Sequence, residues 1–138
     1  MLKRGIITAL APRNSPAFDI LATNSERTVR IRVKTKSSEY SDWQWNAKKD
    51  DSIFRDLSNT DDFTVLVDLS KETKDLEFYI VPTHIINEWF VQDFNIWLST
   101  PGKNNRPHSP ENKKRHLKKS KFINELQPYL MNWNILWK

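Results

Sequence analysis

The 138-residue chain has no cysteine, two glycines and three histidines. The lack of cysteine excludes disulfide bonds, thiolate metal sites and a cysteine nucleophile. Gly5 and Gly102 stand alone, so there is no glycine-rich loop of the kind that holds nucleotide phosphates. No apolar run approaches the roughly 18 residues of a membrane span. The apolar run at 5–11 is also too short for a signal peptide. We therefore predict a cytoplasmic protein with no membrane segment.

Aromatic residues are plentiful: six tryptophans, seven phenylalanines and three tyrosines. This content excludes a wholly disordered chain, because such chains lack the large apolar side chains that form a core. The length suits one hydrophobic core. We therefore predict a single domain spanning 1–138.

Positive charge is concentrated near the C-terminal end. The whole chain has 22 basic and 17 acidic residues, and the stretch 101–121 has eight basic residues and one acid. Such a stretch favours a polyanionic partner such as nucleic acid, although it could also be a solvated loop. We predict a basic loop or helix here, with the helix beginning at Ser109-Pro110-Glu111. The predicted nucleic-acid contacts in this stretch are Lys103, Arg106, His108, Lys113, Lys114 and Arg115.

Apolar and basic residues alternate along 28–36, which is typical of a strand with one core face and one basic face. The basic face carries Arg30, Arg32, Lys34 and Lys36. The nearly continuous apolar run at 63–69 predicts a central strand. Further strands are predicted at 5–11, 17–23, 41–46 and 77–82, a short helix around 53–57, a helix from an N-cap at Thr83 to about Leu98, and an apolar tail that packs on the sheet.

Asp19 lies in an otherwise apolar strand, one turn before the basic strand that carries Lys34. If the two strands pair as a hairpin, the carboxylate and the ammonium converge on one side of the sheet. Phosphodiester hydrolysis uses such a pair, with the carboxylate as a hard ligand for Mg²⁺ and the cation orienting or deprotonating water. An ordinary cross-strand ion pair would have the same spacing.

Two phrases, PAFDILATN at 16–24 and VRIRVKT at 29–35, resemble the core of the restriction-endonuclease-like superfamily. That superfamily is defined by a proline–aspartate motif followed by acid–any–lysine. The chain is also similar to a group of small prokaryotic proteins of this fold, through FTVLVDL at 63–69, FYIVP at 78–82, WLSTPGK at 97–103 and the tryptophan-bearing tail. The resemblance implies an α/β fold with a central mixed β-sheet flanked by helices.

The resemblance also implies roles for individual residues. Asp19 matches the metal-binding aspartate and Lys34 the catalytic lysine, with Mg²⁺ as the cofactor. Arg32 occupies the acidic position, and a guanidinium cannot bind a cation. We expect Arg32 to pair with Asp19 instead and to lower metal affinity. The chain begins almost on the first strand, so the leading helix usual in the family is expected to be missing.

These observations predict a nucleic-acid-binding protein with a nuclease-like fold, a degenerate or weak metal-dependent endonuclease. DNA is favoured over RNA, and the sheet contributes Arg30, Arg32 and Lys36 as phosphate contacts. The alternative is a non-catalytic protein–protein interaction module or a dimeric accessory protein, with aromatic residues of the tail at the interface.

Overall fold

The alternating segment at 28–36 forms β3 (Thr28–Lys36), the strand that joins the two halves of the main sheet in this computed structural model. The structure describes residues 5–12, 18–37, 42–54, 60–69 and 76–138. The short helix predicted around 53–57 extends outside these ranges. The other elements are β1 (Ile7–Leu10), β2 (Ile20–Thr23), β4 (Asp42–Asn46), β5 (Asp62–Asp68), β6 (Glu77–Pro82), α1 (Thr83–Ser99), β7 (Lys114–Lys118) and α2 (Ile123–Leu126), with 3-10 turns at Lys103–Asn105, Gln127–Tyr129 and Trp133–Trp137.

The main sheet has five strands in the order β1-β2-β3-β5-β6. β3 and β5 run parallel, with Arg30 beside Asp62 and Lys36 beside Asp68, whereas the other neighbours are antiparallel. All seven residues of β5 are buried, as expected for a strand covered on both faces. The predicted fold class, an α/β fold with a central mixed sheet flanked by helices, is confirmed.

Each face of the sheet has its own core. The first, the tail-side core, contains Val29, Ile31 and Val65, and the turn Trp133–Trp137 covers it through the fully buried Leu136. The tail therefore packs on the sheet as predicted, and its tryptophans are partly buried there instead of forming an exposed interface.

The second core, the helix-side core, lies between the sheet and α1. It contains Leu66, Tyr79, Ile86 and Phe90, together with Trp43 from β4. Among the described residues, no helix is both long enough and apolar enough to cross a membrane.

A separate two-stranded sheet pairs β4 with β7, from Asp42 beside Lys118 to Asn46 beside Lys114. Residues 114–118 were expected in a helix that begins at Ser109, and that prediction is wrong. The segment alternates between exposed and buried residues, with Arg115 and Leu117 facing inward. This period of two fits a strand, and the pairing with β4 satisfies its backbone.

α1 begins at Thr83 as predicted, but Thr83 does not cap it. Its hydroxyl donates to the Asp62 carboxylate, 2.6 Å away, and lies 2.8 Å from the Thr64 hydroxyl. The N-cap position is Pro82, which has no side-chain donor or acceptor. Thr83 therefore attaches the helix to the sheet.

Asp62 is 2% exposed and binds two arginines of β3. Arg32 makes a two-pronged contact, with Nε and one terminal nitrogen each 2.8 Å from a carboxylate oxygen. Arg30 lies 3.1 Å from the same carboxylate. Asp62 thus connects β3, β5 and α1 through Arg30, Arg32 and Thr83.

We predict that Asp62→Asn lowers the free energy of unfolding by about 3–5 kcal/mol, because two largely buried arginines then lose the buried charge that they share. The matched control is Asp61→Asn. Asp61 pairs with Arg27 nearer the surface, where its side chain is 37% exposed, and its loss should cost about 1 kcal/mol or less. Urea denaturation of both variants measures the difference, and equal small losses would contradict the prediction.

Candidate nucleic-acid interface

Asp19 immediately precedes β2, at the point where pairing with β3 ends. β2 pairs with residues 28–31 of β3. Beyond them, the exposed Asp19 carboxylate accepts the Val33 backbone N–H at 2.8 Å. The side chain thereby satisfies a strand donor that β2 does not reach.

Lys34 points to the helix side of β3, where its ammonium lies 5.0 Å from the centre of the Trp45 ring. Burial lowers the pKa of Lys34 below its ordinary value of 10.5. No ion pair within 4 Å joins Lys34 to Asp19 in the part of the chain that the structure describes. Their convergence on one substrate stays a prediction.

Lys34 instead lines a cavity of about 370 Å³ together with Asp42 and Gln44 of β4. One Asp42 oxygen lies 2.9 Å from Nδ1 of His116, and the other accepts from Gln44 at 3.1 Å. Among the described residues that line this cavity, the carboxylate comes from β4. Sequence reasoning gave no signal that would bring Asp42 here, because β4 is placed by its pairing with β7.

Arg32 binds Asp62, whereas the Asp19 carboxylate binds the Val33 N–H. The expected pair between Arg32 and Asp19 is therefore wrong. The physical reason is the parallel register, which places Asp62 beside Arg30 and within reach of Arg32. The sequence does place an acid, Asp62, directly before the apolar run of β5, and this acid was a possible partner for the basic face of β3.

The residues at this site do not fit Mg²⁺. A magnesium ion requires several oxygen ligands in near-octahedral geometry. Asp19 and Asp42 already accept hydrogen bonds, and a guanidinium stands in the acidic position. Within the described ranges, no group of three or more histidine, aspartate or glutamate residues could hold a metal ion.

Lys36 is 6% exposed, and its ammonium lies 2.9 Å from Asp68, which also binds Lys119 at 2.7 Å. Arg30, Arg32 and Lys36 therefore serve first as internal counter-ions of Asp62 and Asp68. Their contact with phosphates stays a prediction, and their burial favours the internal role.

The predicted basic contacts divide by exposure. Lys103, Arg106 and Lys114 are exposed, and Lys113 pairs with Asp51.

His108 stacks on Trp97 with ring centres 3.9 Å apart. Arg115 is buried against Phe94, its guanidinium carbon 3.6 Å from the ring centre. Lys118 is exposed on the same face of β7 as Lys114.

No protein-family model matches the chain, and no curated protein matches it. Among solved structures, the chain is similar to Hjc, a Holliday junction resolvase from Archaeoglobus fulgidus. The identity is 12% and the TM-score 0.42, over 89% of this chain and 85% of that one. The chain itself has a central mixed sheet flanked by helices, the architecture that the sequence resemblance implies. A likeness this distant carries no argument about activity, substrate or metal.

We predict that Lys34 gives the stability of the protein a specific pH dependence. Because its pKa is lowered on folding, the unfolded chain binds more protons between that lowered pKa and 10.5, and stability rises with pH in this window. The difference in unfolding free energy between Lys34→Met and the wild type should therefore shift in favour of the wild type as pH rises. Urea titrations from pH 7 to 10.5 measure it.

Lys118→Met is the matched control, since the Lys118 side chain is exposed on β7. Its difference from the wild type should stay nearly constant with pH. A constant difference for Lys34→Met as well would contradict the burial of the ammonium.

Proposed function

We propose that the chain binds nucleic acid, DNA in preference to RNA, and that its metal-dependent phosphodiester hydrolysis is weak or lost. The observation that carries the second part is Arg32, which stands in the acidic position of the resemblance and is bound by the buried Asp62. A buried two-pronged ion pair is costly to break, so Arg32 does not swing aside to admit an ion.

Electrostatics supports this view of the site. A guanidinium stays protonated at all ordinary pH values. A divalent ion within a few ångströms of it is repelled by several kcal/mol at an effective dielectric constant near 20. Lys34 and Asp19 could then contact nucleic acid or stabilise the sheet without supporting efficient cleavage, and any Mg²⁺ dependence is expected to be slight.

The surface charge supports the binding part of the proposal. Lys103, Arg106, Lys114 and Lys118 are exposed, and no carboxylate of the described residues forms an ion pair with them. Exposed cations of this kind bind phosphates without reading base sequence. We also propose a cytoplasmic setting, in line with the absence of cysteine.

A second candidate function is a protein-interaction or dimeric accessory module. One observation favours it: all four residues of the edge strand β1 are exposed, including Ile7 at 68% and Leu10 at 84%. An edge strand with unpaired backbone groups can add a strand from another chain. Sedimentation that shows a dimer, together with no nucleic-acid binding, would favour this second function.

We predict that changing Lys103, Arg106, Lys114 and Lys118 together to glutamine weakens binding to all DNA sequences alike. Each phosphate contact removed should reduce the slope of log affinity against log salt by roughly 1. Fluorescence anisotropy with labelled duplexes at several salt concentrations measures both quantities.

Lys138→Gln is the control, because Lys138 ends the turn on the opposite face of the sheet. It should leave affinity and slope unchanged. If the fourfold variant binds as tightly as the wild type, this basic surface is not the binding surface.

We further predict little or no cleavage of labelled DNA with Mg²⁺ or Mn²⁺, no more than by Lys34→Ala. Arg32→Gln should gain metal binding only weakly, because Arg30 and Thr83 still bind the Asp62 carboxylate. Strong cleavage by the wild type that is abolished in Lys34→Ala would contradict a weak or lost activity and would require another carboxylate to complete the site.

A further inference from the structure

Four planar groups stand in a row along α1 and the loop that follows it. Phe94 and Trp97 are stacked with ring centres 5.5 Å apart, and the Trp97 and His108 ring centres are 3.9 Å apart. Arg115 covers Phe94 at 3.6 Å. His108 fits because Gly102 has no side chain: a Cβ there would lie 2.7 Å from the imidazole. The row ties the basic loop and β7 to α1.

Arg115, at the inner end of this row, lacks a dedicated buried counter-ion. Its side chain is 5% exposed. One terminal nitrogen donates to the Asn112 and Lys114 carbonyl oxygens, at 2.6 and 3.2 Å. The other lies 3.7 Å from Asp51, a carboxylate that is 54% exposed and also binds Lys113. Burial lowers the pKa of Arg115, and Asp51 offsets this only in part.

The contrast with the other buried cations is clear. Arg32 has the carboxylate of Asp62 at 2.8 Å, and Lys36 has that of Asp68 at 2.9 Å, and both carboxylates are almost fully buried. Arg115 has neither the short distance nor the buried acid. An anion that entered beside Arg115 would therefore complete its electrostatic environment.

Space for such an anion exists on either side of Arg115. Two cavities, of about 300 and 190 Å³, share Phe90, Phe94 and Arg115 in their walls. The smaller one is also lined by Trp97, Asn112 and Lys114, so basic, amide and aromatic residues meet there. Asp93 in its wall binds Lys121, which neutralises that carboxylate.

We infer that this smaller cavity, between α1 and β7, binds a phosphate monoester, such as the 5′-phosphate at a nucleic-acid end or on a free nucleotide. This inference deepens the proposed function and rests on it for the nucleic-acid source. A monoester carries nearly two negative charges at pH 7, which matches Arg115 together with Lys114. Phe94 and Trp97 are already stacked in the row, and they add apolar wall surface for the sugar next to the phosphate.

The test compares two oligonucleotides of one sequence, with a 5′-phosphate and with a 5′-hydroxyl, by anisotropy at fixed salt. We expect about tenfold tighter binding of the phosphorylated strand. Lys114→Gln and Arg115→Lys should reduce this preference to less than about twofold. Lys118→Gln is the matched control: it lies on the same face of β7 but outside the cavity, and should weaken both strands equally.

Competition with thymidine monophosphate and inorganic phosphate distinguishes the sources. If either binds and Lys114→Gln abolishes that binding while no oligonucleotide binds, the phosphate site stands and the proposed function fails. If both oligonucleotides bind equally well, the proposed function stands and the phosphate site is refuted. Binding of none of these probes refutes both. Arg115 is buried, so circular dichroism must establish that its variant folds, and the exposed Lys114 gives an independent result.

Discussion

The Asp62 carboxylate is the contact on which the helix side of this sheet depends. β3 carries four basic residues on one face, and burying them without counter-charge would cost more than the sheet could recover. Asp62 compensates Arg30 and Arg32 at one end of β5, and Asp68 compensates Lys36 at the other. With these charges compensated, the basic side chains can pack against aromatic rings. Arg32 lies over Phe54, Lys34 over Trp45 and Lys36 over Trp43. The parallel register of β3 and β5 is therefore set by charge as well as by hydrophobic burial.

Elements governed by their own local pattern could be predicted from the sequence. The alternation at 28–36, the apolar run of β5 and the helical periodicity after Pro82 all gave the correct element type within about a residue or two. The alternation of 41–46 also predicts that Trp43 and Trp45 point to the same side of their strand. The strand Lys114–Lys118 was missed because its basic residues obscure a two-residue period and its partner is remote in sequence.

The site was less predictable than the sheet, for a physical reason. Asp19 and Lys34 could be proposed together because they lie in one short stretch, Asp19 just before β2 and Lys34 in the neighbouring β3, and their role stays a prediction. What each side chain contacts is decided by segments far away in sequence. Arg32 binds Asp62 and not Asp19, and the pairing of β4 with β7 brings Asp42 to the cavity of Lys34. Spacing within a motif cannot report such contacts, since they depend on how distant segments meet.

The small sheet of β4 and β7 has a consequence for the order of folding. Its residues Asp42 and His116 are 74 positions apart, and β5, β6 and α1 lie between them. Closing so long a loop is entropically costly, so contacts of this kind form late unless the intervening chain is already compact. We expect the five-stranded sheet and α1 to assemble first and β7 to dock afterwards. Partial opening that releases β7 would then expose the cavity beside Lys34 and separate Lys114 and Lys118 from the rest of the basic surface, while much of the main sheet stayed folded.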